Sequence, residues 1–468
     1  MNAITPVMLA GGAGTRLWPV SRTSFPKQFM TFADEHTLFQ NTVQRVTSST
    51  TVKFAAPIIL TNSDFRFIVR DQLSVLDINT AHIILEPEAK NTAASILAAS
   101  LWAFEENSDA TLLVVPTDHK IDDIEAFHKA IEIASRHVER GRIVTFGIAP
   151  THPETGYGYL EYNRLSEDDG YEVHRFVEKP NKVRAEQMLK DGGFFWNSGI
   201  FMFKARDMIA EFHKSLPQHV PLVEKAVHGA QLDLGFVRVE PAPWSQLQNI
   251  SIDFAIMEKA ETIFAIPLSC HWSDLGNWLA VWENSSTEKN NVVLSENAYA
   301  FDCQNSMFRN DSKTIKMVGI GVTDVFAIAT QDAVLVVHKD STQKVKDALS
   351  LVANERDEPY DAKLKDYRPW GWREVISSSQ SSEISRMYLN PGAEVTMQSH
   401  SLRTEHWIVE TGTLSVTING ETKIITQGES IFVPLNSLHQ LSNITNEPTV
   451  VLEVKTGSYI GEDDIQRY

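Results

Sequence analysis

A glycine-rich loop directly after a buried strand is the feature that most constrains the fold of this 468-residue chain. The mainly apolar run 4–9 is typical of a strand, and glycines follow it at positions 11, 12 and 14. Glycines let consecutive backbone amides converge on an anion without interference from a Cβ atom. Two cations, Arg16 and Lys27, follow and can hold the charge of a polyphosphate. The pattern predicts a nucleoside triphosphate site at a strand end.

Two familiar phosphate-binding motifs do not match this loop. The dinucleotide fingerprint needs a third glycine at position 17, where the chain has Leu17. The Walker loop needs lysine after its last glycine, whereas Thr15 follows Gly14. The glycines alone would also fit an ordinary strand-to-helix turn. The order of cations and prolines that continues to residue 28 favours the triphosphate site.

Net charge and cysteine content limit which classes of binding partner and which cellular compartment we expect. The formal net charge of −18 argues against nucleic acid or an anionic membrane as a partner. The two cysteines, Cys270 and Cys303, exclude a disulfide framework and suit a reducing cytoplasm. The N-terminus has no basic-then-apolar leader, and no apolar run is long enough to span a bilayer. We therefore expect a soluble, cytoplasmic protein.

The length predicts two or three domains, and the predicted type of secondary structure changes twice along the chain. Residues 1–288 alternate short apolar strands with helices, which indicates a mostly parallel α/β sheet. Residues 289–355 are β-rich and end in a charged helix, and residues 356–468 are all-β, after a polar linker at 355–360. The clearest elements of the first region are strands at 57–60, 81–85, 111–115 and 143–146, and helices at 92–105 and 124–139.

Two aspartates far apart in the sequence are candidate metal ligands. Asp118 directly follows the strand at 111–115, which places it on the side of the sheet where ligands bind. Asp274 lies in a second polar loop, between Trp272 and Trp278. Mg²⁺ typically takes one or two protein carboxylates and leaves the rest of its shell to phosphate and water. Each aspartate alone would also fit a helix cap or a turn.

The string LAGGAGTRLWPVSRTSFPKQF at 9–29 resembles bacterial mannose-1-phosphate guanylyltransferases of the long, bifunctional type. These nucleotidyltransferases join a sugar 1-phosphate to a nucleoside triphosphate, and they carry a phosphomannose isomerase domain at the C-terminus. The resemblance implies a Rossmann-like domain, a short left-handed β-helix and a C-terminal cupin domain. It also implies GTP, mannose 1-phosphate and mannose 6-phosphate as ligands, with Mg²⁺ at the transferase site.

The same resemblance assigns roles to individual residues. The catalytic residues of the transferase would be Arg16, Lys27, Asp118, Lys179 and Asp274, with Asp118 and Asp274 holding the metal. The nucleotide-binding residues would be Ala10, Gly11, Gly12, Gly14, Thr15, Arg16, Arg22, Lys27 and Asn91. The sugar-binding residues would be Gly156, Tyr157, Glu178, Lys179 and Asn197. Because the attacking sugar phosphate is already an anion, alignment and charge neutralisation would suffice for catalysis.

Two motifs in the last region match the cupin superfamily, whose small barrels hold one metal ion. The resemblance makes Gln398, His400, Glu405 and His439 the metal ligands. Their mixed nitrogen and oxygen donors suit Zn²⁺, Co²⁺ or Mn²⁺. Arg403 would be a catalytic cation that holds the substrate phosphate of an isomerase.

Because the sequence departs from the family pattern at several positions, it does not decide whether the cupin domain is an active isomerase. Gln398 replaces the more usual histidine, and Gln440 stands where the family commonly has arginine. The cupin domain could therefore be a structural or regulatory module beside a transferase. A non-catalytic nucleotide-sugar sensor is the third interpretation, but it predicts a missing carboxylate or cation in the first region. The metal of the barrel and the existence of a homo-oligomer also stay open.

Overall fold

The computed structural model describes most of the chain, namely residues 3–12, 14–32, 35–167, 169–261, 263–355 and 365–468. The chain divides into two compact units, a first unit of Met1–Arg66 with Gln72–Asp361 and a second unit of Phe67–Asp71 with Ala362–Tyr468. The linker expected at 355–360 lies outside the described residues from position 356 onward.

The α/β region of the first unit is built on one large mixed sheet. Its strands are β1 (Ile4–Leu9), β2 (Ile58–Asn62), β3 (His82–Glu86), β4 (Thr111–Pro116), β5 (Lys120–Ile121), β6 (Ile143–Ile148), β7 (Tyr159–Glu167), β8 (Gly170–Val177), β9 (Phe194–Lys204), β10 (Gln231–Asp233), β11 (Phe236–Arg238), β12 (Ile263–Pro267) and β13 (Trp272–Ser273). Its helices are α1 (Leu38–Thr47), α2 (Arg66–Ser74), α3 (Asn91–Glu106), α4 (Ile124–Val138), α5 (Lys182–Asp191), α6 (Ala205–Ser215), α7 (Val220–His228), α8 (Pro241–Ser245) and α9 (Trp278–Glu283). The sheet order is β10-β11-β3-β2-β1-β4-β9-β6-β12-β8-β7, with β5 and β13 paired separately.

The centre of this sheet is parallel, as the sequence predicts. Strand β1 pairs in parallel with β2 and β4, so that Val7 lies between Ile58 and Val114. Successive side chains of β2 and β4 are buried even though they alternate between faces, because both faces are covered. The predicted strands and helices agree with the observed ones within two residues at each end. Strands β7, β8 and β9 are antiparallel additions, and β9 lies between β4 and β6.

This topology puts the ends of several strands at one edge of the sheet. The carboxyl ends of β1, β3 and β4 lead into the glycine loop, Glu86 and Asp118 respectively. Parallel strands present their carboxyl ends on the same side, where ligands bind in open α/β sheets. A cluster of chemically active residues at this edge follows from the strand order.

The β-rich region of the first unit is β-helix-like. Its elements are β14 (Val293–Leu294), β15 (Ala298–Phe301), β16 (Met307–Asn310), β17 (Met317–Ile320), β18 (Val325–Ala329), β19 (Val334–His338) and α10 (Val345–Glu355). Short parallel strands stack as β14-β16-β18 and β15-β17, and β19 closes the first stack antiparallel to β18. The paired residues Val293, Met307 and Phe326 are unevenly spaced in the chain. This uneven spacing explains why the sequence shows no regular repeat.

The second unit contains two facing antiparallel sheets, in agreement with the expected cupin fold. Its strands are β20 (Lys365–Arg368), β21 (Gly371–Ser378), β22 (Ser382–Leu389), β23 (Gln398–Ser399), β24 (Arg403–Thr411), β25 (Thr413–Ile418), β26 (Glu421–Thr426), β27 (Ser430–Val433), β28 (His439–Ser442), β29 (Thr449–Gly457) and β30 (Gln466–Arg467). The sheet orders are β20-β21-β22-β29-β24-β27 and β26-β25-β28-β23-β30. Alternate residues of β24 face the interior, where Trp407 and Val409 pack in the apolar core. Among the described residues, no helix combines the length and apolar character needed to cross a bilayer.

Candidate functional site

A cavity of about 410 Å³ opens at the carboxyl ends of the central strands, and we call it the strand-end cavity. It runs from the end of β3, past the glycine loop after β1, to the loops around β9. The structure brings many of the predicted site residues to its wall, namely Gly11, Gly12, Asn91, Asp118, Gly156, Tyr157, Glu178, Lys179, Asn197 and Asp274.

Lys27 joins the two predicted metal-binding segments. Its ammonium lies 3.1 Å from the Asp118 carboxylate and donates a hydrogen bond of 2.5 Å to the backbone carbonyl of Asp274. Lys27 is only 5% exposed, so its charge acts through these contacts rather than from the cavity wall. Burial opposes ionisation of Asp118, but Lys27 and His119 together hold the pKa of this carboxyl below its usual range. Asp118 is therefore an anion that faces the cavity.

The Asp274 carboxylate is held by two donors. The Tyr157 hydroxyl donates a hydrogen bond of 2.7 Å to its Oδ1, and the amide of Gly276 donates one of 2.9 Å. Burial and the neighbouring Asp274 raise the pKa of Tyr157, so the phenol keeps its proton. The Tyr157 ring packs edge-on against Trp196 and Trp272 at centroid distances of 5.2 and 5.4 Å. Asp274 is thus fixed in direction before any ligand binds.

The glycine loop supplies backbone rather than side chains to the cavity. Gly14 has a φ of +57°, and a Cβ atom there would lie 2.8 Å from Cγ of Lys27. Glycine at this position therefore lets Lys27 pass behind the loop towards the aspartates. Gln28, which the sequence motif contains but did not assign, donates a hydrogen bond of 3.0 Å to the carbonyl of Gly12. Its buried amide ties the loop to the turn that carries Lys27.

The opposite wall of the cavity is polar and carries several groups suited to hydroxyls. The Glu178 and Lys179 side chains pair at 2.9 Å. Asn197 donates a hydrogen bond of 3.0 Å to Asp253, a cavity residue that was not among the predicted site residues. Burial, reinforced by Glu178, raises the pKa of Asp253 to about 6. These groups offer both donors and acceptors, as recognition of a sugar requires.

Some predicted residues lie elsewhere. The predicted nucleotide-binding residues that do not line the strand-end cavity are Ala10, Gly14, Arg16, Arg22 and Lys27. The side chain of Thr15, also predicted, lies outside the described part of the structure. Arg16 is exposed, although its charge is close enough to act on the Tyr157 hydroxyl. The structure gives Arg22 a different place from the one the sequence suggested. Its guanidinium is buried and donates a hydrogen bond of 2.7 Å to Asp332, in the turn between β18 and β19.

Replacing Asp332 by alanine should destabilise the first unit, because the buried guanidinium of Arg22 would lose its charged partner. We expect a loss of roughly 2–3 kcal/mol in the free energy of unfolding, typical of a hydrogen bond to a charged group. Urea denaturation measures this loss. Asp340→Ala, which removes an exposed carboxylate in the same β-rich region, is the control. Equal stability of the two variants would contradict a structural role for the Arg22–Asp332 pair.

The second unit gathers the four predicted metal ligands inside its barrel, and we call Gln398, His400, Glu405 and His439 the barrel cluster. Ligand atoms of His400, Glu405 and His439 lie within 4.8 Å of one another. The amide nitrogen of Gln398 lies 3.4 Å from Nε2 of His439. Nδ1 of His439 lies 2.8 Å from the carbonyl of Ser437, and donation to that carbonyl leaves the lone pair of Nε2 free to bind a metal.

Unsatisfied atoms show that the barrel cluster fits a divalent cation. Neither ring nitrogen of His400 nor Oε2 of Glu405 has a hydrogen-bond partner among the described residues, although both side chains are buried. Buried polar atoms are rarely left without a partner, and a bound cation would satisfy them. Burial opposes ionisation of Glu405, but His400, Lys455 and Arg403 hold its pKa well below the usual range. An anionic carboxylate beside two imidazoles is a donor set for a transition metal.

Arg403 is placed beside the barrel cluster and is fully buried. Its Nε donates a hydrogen bond of 3.0 Å to Glu405, and its Nη1 donates one of 2.7 Å to the carbonyl of Gly461. Its Nη2 is buried without a hydrogen-bond partner among the described residues. Lys455, which the sequence motifs did not single out, stands directly opposite Glu405 on β29. Two cations therefore flank the carboxylate.

Family models cover almost the whole chain. Residues 5–291 match the nucleotidyl transferase model, and residues 296–350 match the MannoseP isomerase/GMP-like β-helix domain. Residues 354–468 match the mannose-6-phosphate isomerase C-terminal model.

Two curated relatives align with almost the whole length of the chain. A mannose-1-phosphate guanylyltransferase of Klebsiella pneumoniae is 37% identical over 99% of this chain and 98% of its own length. The xanthan biosynthesis protein XanB of Xanthomonas campestris pv. campestris is 38% identical over 100% of this chain and 98% of its own. The similarity therefore extends over both units.

Solved structures resemble the chain over large parts of its length. A mannose-1-phosphate geranyltransferase from Thermus thermophilus aligns with a TM-score of 0.66 and 29% identity, over 75% of this chain and 100% of that one. A mannose-6-phosphate isomerase from Helicobacter pylori aligns with a TM-score of 0.51 and 28% identity, over 58% of this chain and 99% of that one.

Proposed function

Because the chain belongs to the family of mannose-1-phosphate guanylyltransferases with a mannose-6-phosphate isomerase C-terminal domain, we propose that its first unit transfers GMP from GTP to α-D-mannose 1-phosphate. The products would be GDP-mannose and pyrophosphate. One observation carries this proposal. Lys27 contacts both Asp118 and Asp274, and the two aspartates line the same cavity as the glycine loop and the Glu178–Lys179 pair. GDP-mannose would serve polysaccharide synthesis, which the name of the xanthan relative supports.

The reaction needs alignment and charge neutralisation rather than a general base. A phosphate oxygen of mannose 1-phosphate bonds to the α-phosphorus of GTP. The bond from that phosphorus to its bridging oxygen breaks, and pyrophosphate leaves with the electron pair. Backbone amides of Gly11 and Gly12 and the cation Arg16 would bind the triphosphate, and Lys179 would bind the sugar phosphate. Holding both substrates in line supplies much of the rate enhancement.

We also propose that Asp118 and Asp274 hold Mg²⁺. Two carboxylates that face one cavity are the protein ligands Mg²⁺ usually takes, with phosphate and water completing its shell. Bound Mg²⁺ would neutralise charge that develops on the phosphate oxygens. Tyr157 orients Asp274, and Lys27 draws the two aspartate segments together.

A screen for pyrophosphate release tests the transferase. The purified protein is incubated with Mg²⁺, each of the four common nucleoside triphosphates and several hexose 1-phosphates. We expect strong preference for GTP with mannose 1-phosphate. Absence of pyrophosphate with every pair would favour a nucleotide-sugar sensor instead.

For the second unit we propose isomerisation between mannose 6-phosphate and fructose 6-phosphate. The unsatisfied atoms of the barrel cluster support this activity. The cluster would hold Zn²⁺, Co²⁺ or Mn²⁺, which would polarise the substrate carbonyl. Nη2 of Arg403, which is buried without a hydrogen-bond partner among the described residues, would donate to the substrate phosphate. If no metal supports fructose 6-phosphate formation, the cupin domain is a structural or regulatory module.

We propose the cytoplasm as the site of action, with small molecules as the partners. Cys270 and Cys303 are both free and buried, which suits a reducing compartment. The net charge of −18 disfavours nucleic acid and anionic membranes. A homo-oligomer stays a prediction that light scattering would test.

A further inference from the structure

Trp272 lies between the two segments that carry the proposed Mg²⁺ ligands. It is the first residue of β13, two positions before Asp274, and it lines the strand-end cavity. Strand β13 pairs antiparallel with β5, which begins two positions after Asp118. The paired strands hold the two aspartate segments side by side, but each side chain can still rotate among its rotamers. Contacts of side chains must therefore fix the directions of the two carboxylates.

The indole of Trp272 donates a hydrogen bond to His119. Its Nε1 lies 3.2 Å from Nδ1 of His119, and the two rings meet edge-on at a centroid distance of 5.3 Å. An indole nitrogen only donates, so Nδ1 accepts and the neutral imidazole carries its proton on Nε2. Nε2 lies 3.7 Å from Oδ1 of Asp118. Because this distance is too long for a hydrogen bond, the N–H group attracts Oδ1 as a dipole and does not occupy the lone pairs that a metal ion would need.

The same indole packs against Tyr157, the side chain that orients the second carboxylate. The two rings meet edge-on at a centroid distance of 5.4 Å, and the Tyr157 hydroxyl donates a hydrogen bond of 2.7 Å to Oδ1 of Asp274. Trp196 contacts the Tyr157 ring as well, at a centroid distance of 5.2 Å. A ring that is packed by its neighbours keeps its hydroxyl on one acceptor, which is how supporting residues preorganise a binding site. One indole therefore contacts both side chains that orient the proposed metal ligands.

We propose that Trp272 is a positioning residue that fixes the directions of both Mg²⁺-binding carboxylates, an inference that rests on the proposed nucleotidyl transfer and its metal site. It acts on Asp118 through the N–H group of His119. It acts on Asp274 through the ring of Tyr157. Partners that hold metal ligands from outside the coordination shell typically contribute about 10- to 100-fold to metal affinity. Removal of the indole N–H should therefore weaken Mg²⁺ binding, while the fold and the nucleotide contacts stay intact.

Binding of GTP to Trp272→Phe with and without Mg²⁺ tests the inference. Phenylalanine keeps a ring against Tyr157 but removes the N–H group that donates to His119. Calorimetric titration of the full chain with GTP, once with Mg²⁺ and once with EDTA, gives the factor by which Mg²⁺ tightens GTP binding. In Trp272→Phe we expect the affinity for GTP to fall about 10-fold with Mg²⁺ and to stay unchanged with EDTA. Equal losses in both titrations, or no loss in either, would overturn the inference.

A second variant, His119→Phe, tests the route from the indole to Asp118. It should show the same Mg²⁺-dependent loss as Trp272→Phe. The double variant should bind GTP about as well as either single variant, because both substitutions break one shared hydrogen bond. Fully additive losses would show that the two side chains act separately and would contradict the proposed route.

Trp282→Phe is the matched control, because the Trp282 indole also donates one hydrogen bond, of 3.2 Å to the carbonyl of Asn291, and lies outside the strand-end cavity. It should keep both GTP affinities, and circular dichroism should show every variant folded. If Mg²⁺ does not tighten GTP binding to the unaltered protein, the proposed metal site is wrong and the inference falls with it. The titration needs no turnover, so the expected Mg²⁺ response in a chain that releases no pyrophosphate would contradict only the proposed transfer.

Discussion

Replacing Asp274 by asparagine is expected to lower kcat for pyrophosphate release by about 1,000-fold or more, by analogy with the loss of a preorganised charge-stabilising group. The substitution removes one of the two anions proposed to hold Mg²⁺. The local structure should survive, because the amide oxygen can still accept from Tyr157 and from the Gly276 amide. Lys27 binds the backbone carbonyl of residue 274, which the substitution leaves in place.

Asp122→Asn provides the control for this experiment. Asp122 is a half-exposed carboxylate close in sequence to Asp118, and it pairs with Lys120 at 3.1 Å. This variant should release pyrophosphate at close to the unaltered rate, and both variants should have the same circular dichroism spectrum. Near-normal turnover by a folded Asp274→Asn would refute the metal-binding role of Asp274.

Replacing His439 by glutamine is expected to lower the affinity of the second unit for its divalent metal by at least about 100-fold. Nε2 of His439 is aimed at the other ligands by the contact of Nδ1 with Ser437. Glutamine cannot reproduce this arrangement. Isomerase activity should fall in parallel, while pyrophosphate release should stay unchanged. Bound metal is measured by mass spectrometry after dialysis against each candidate ion.

His406→Gln is the control, since His406 lies on β24 next to Glu405 but is exposed and packs on Phe432 with a centroid distance of 4.8 Å. It should retain the full complement of metal. Equal metal contents in the His406 and His439 variants would show that the ion binds elsewhere.

Local sequence patterns predicted the parts of the site that depend on position along a strand. Asp118 was expected at the ligand side because it follows an apolar strand, and the structure places it on the cavity wall. The resemblance predicted Gln398 and His400 as metal ligands of one barrel, and the structure brings both side chains near His439. The roles of these residues stay predictions, whereas their proximity is a property of the fold.

Long-range contacts were beyond local patterns. The sequence marked Arg22 as a triphosphate ligand, but its partner Asp332 is separated from it by 310 residues. Arg403 was expected to hold a phosphate, and that role stays a prediction, but local patterns did not indicate that its Nε would donate a hydrogen bond to Glu405 in the barrel interior.

The amino-acid sequence by itself determined where the strands, the glycine loop and the ligand-bearing motifs lie, because backbone periodicity and glycine geometry act over a few residues. Tertiary structure alone decided which charged side chains are buried and which of them form ion pairs. Burial and pairing depend on neighbours that are distant along the chain, and the electrostatic energy of a side chain changes most when those neighbours replace water. For that reason the strands and helices of the first region could be predicted from local patterns, whereas the β-helix and the cupin fold were implied by family resemblance. The charged partners of Lys27 and Arg22 could not be predicted either way.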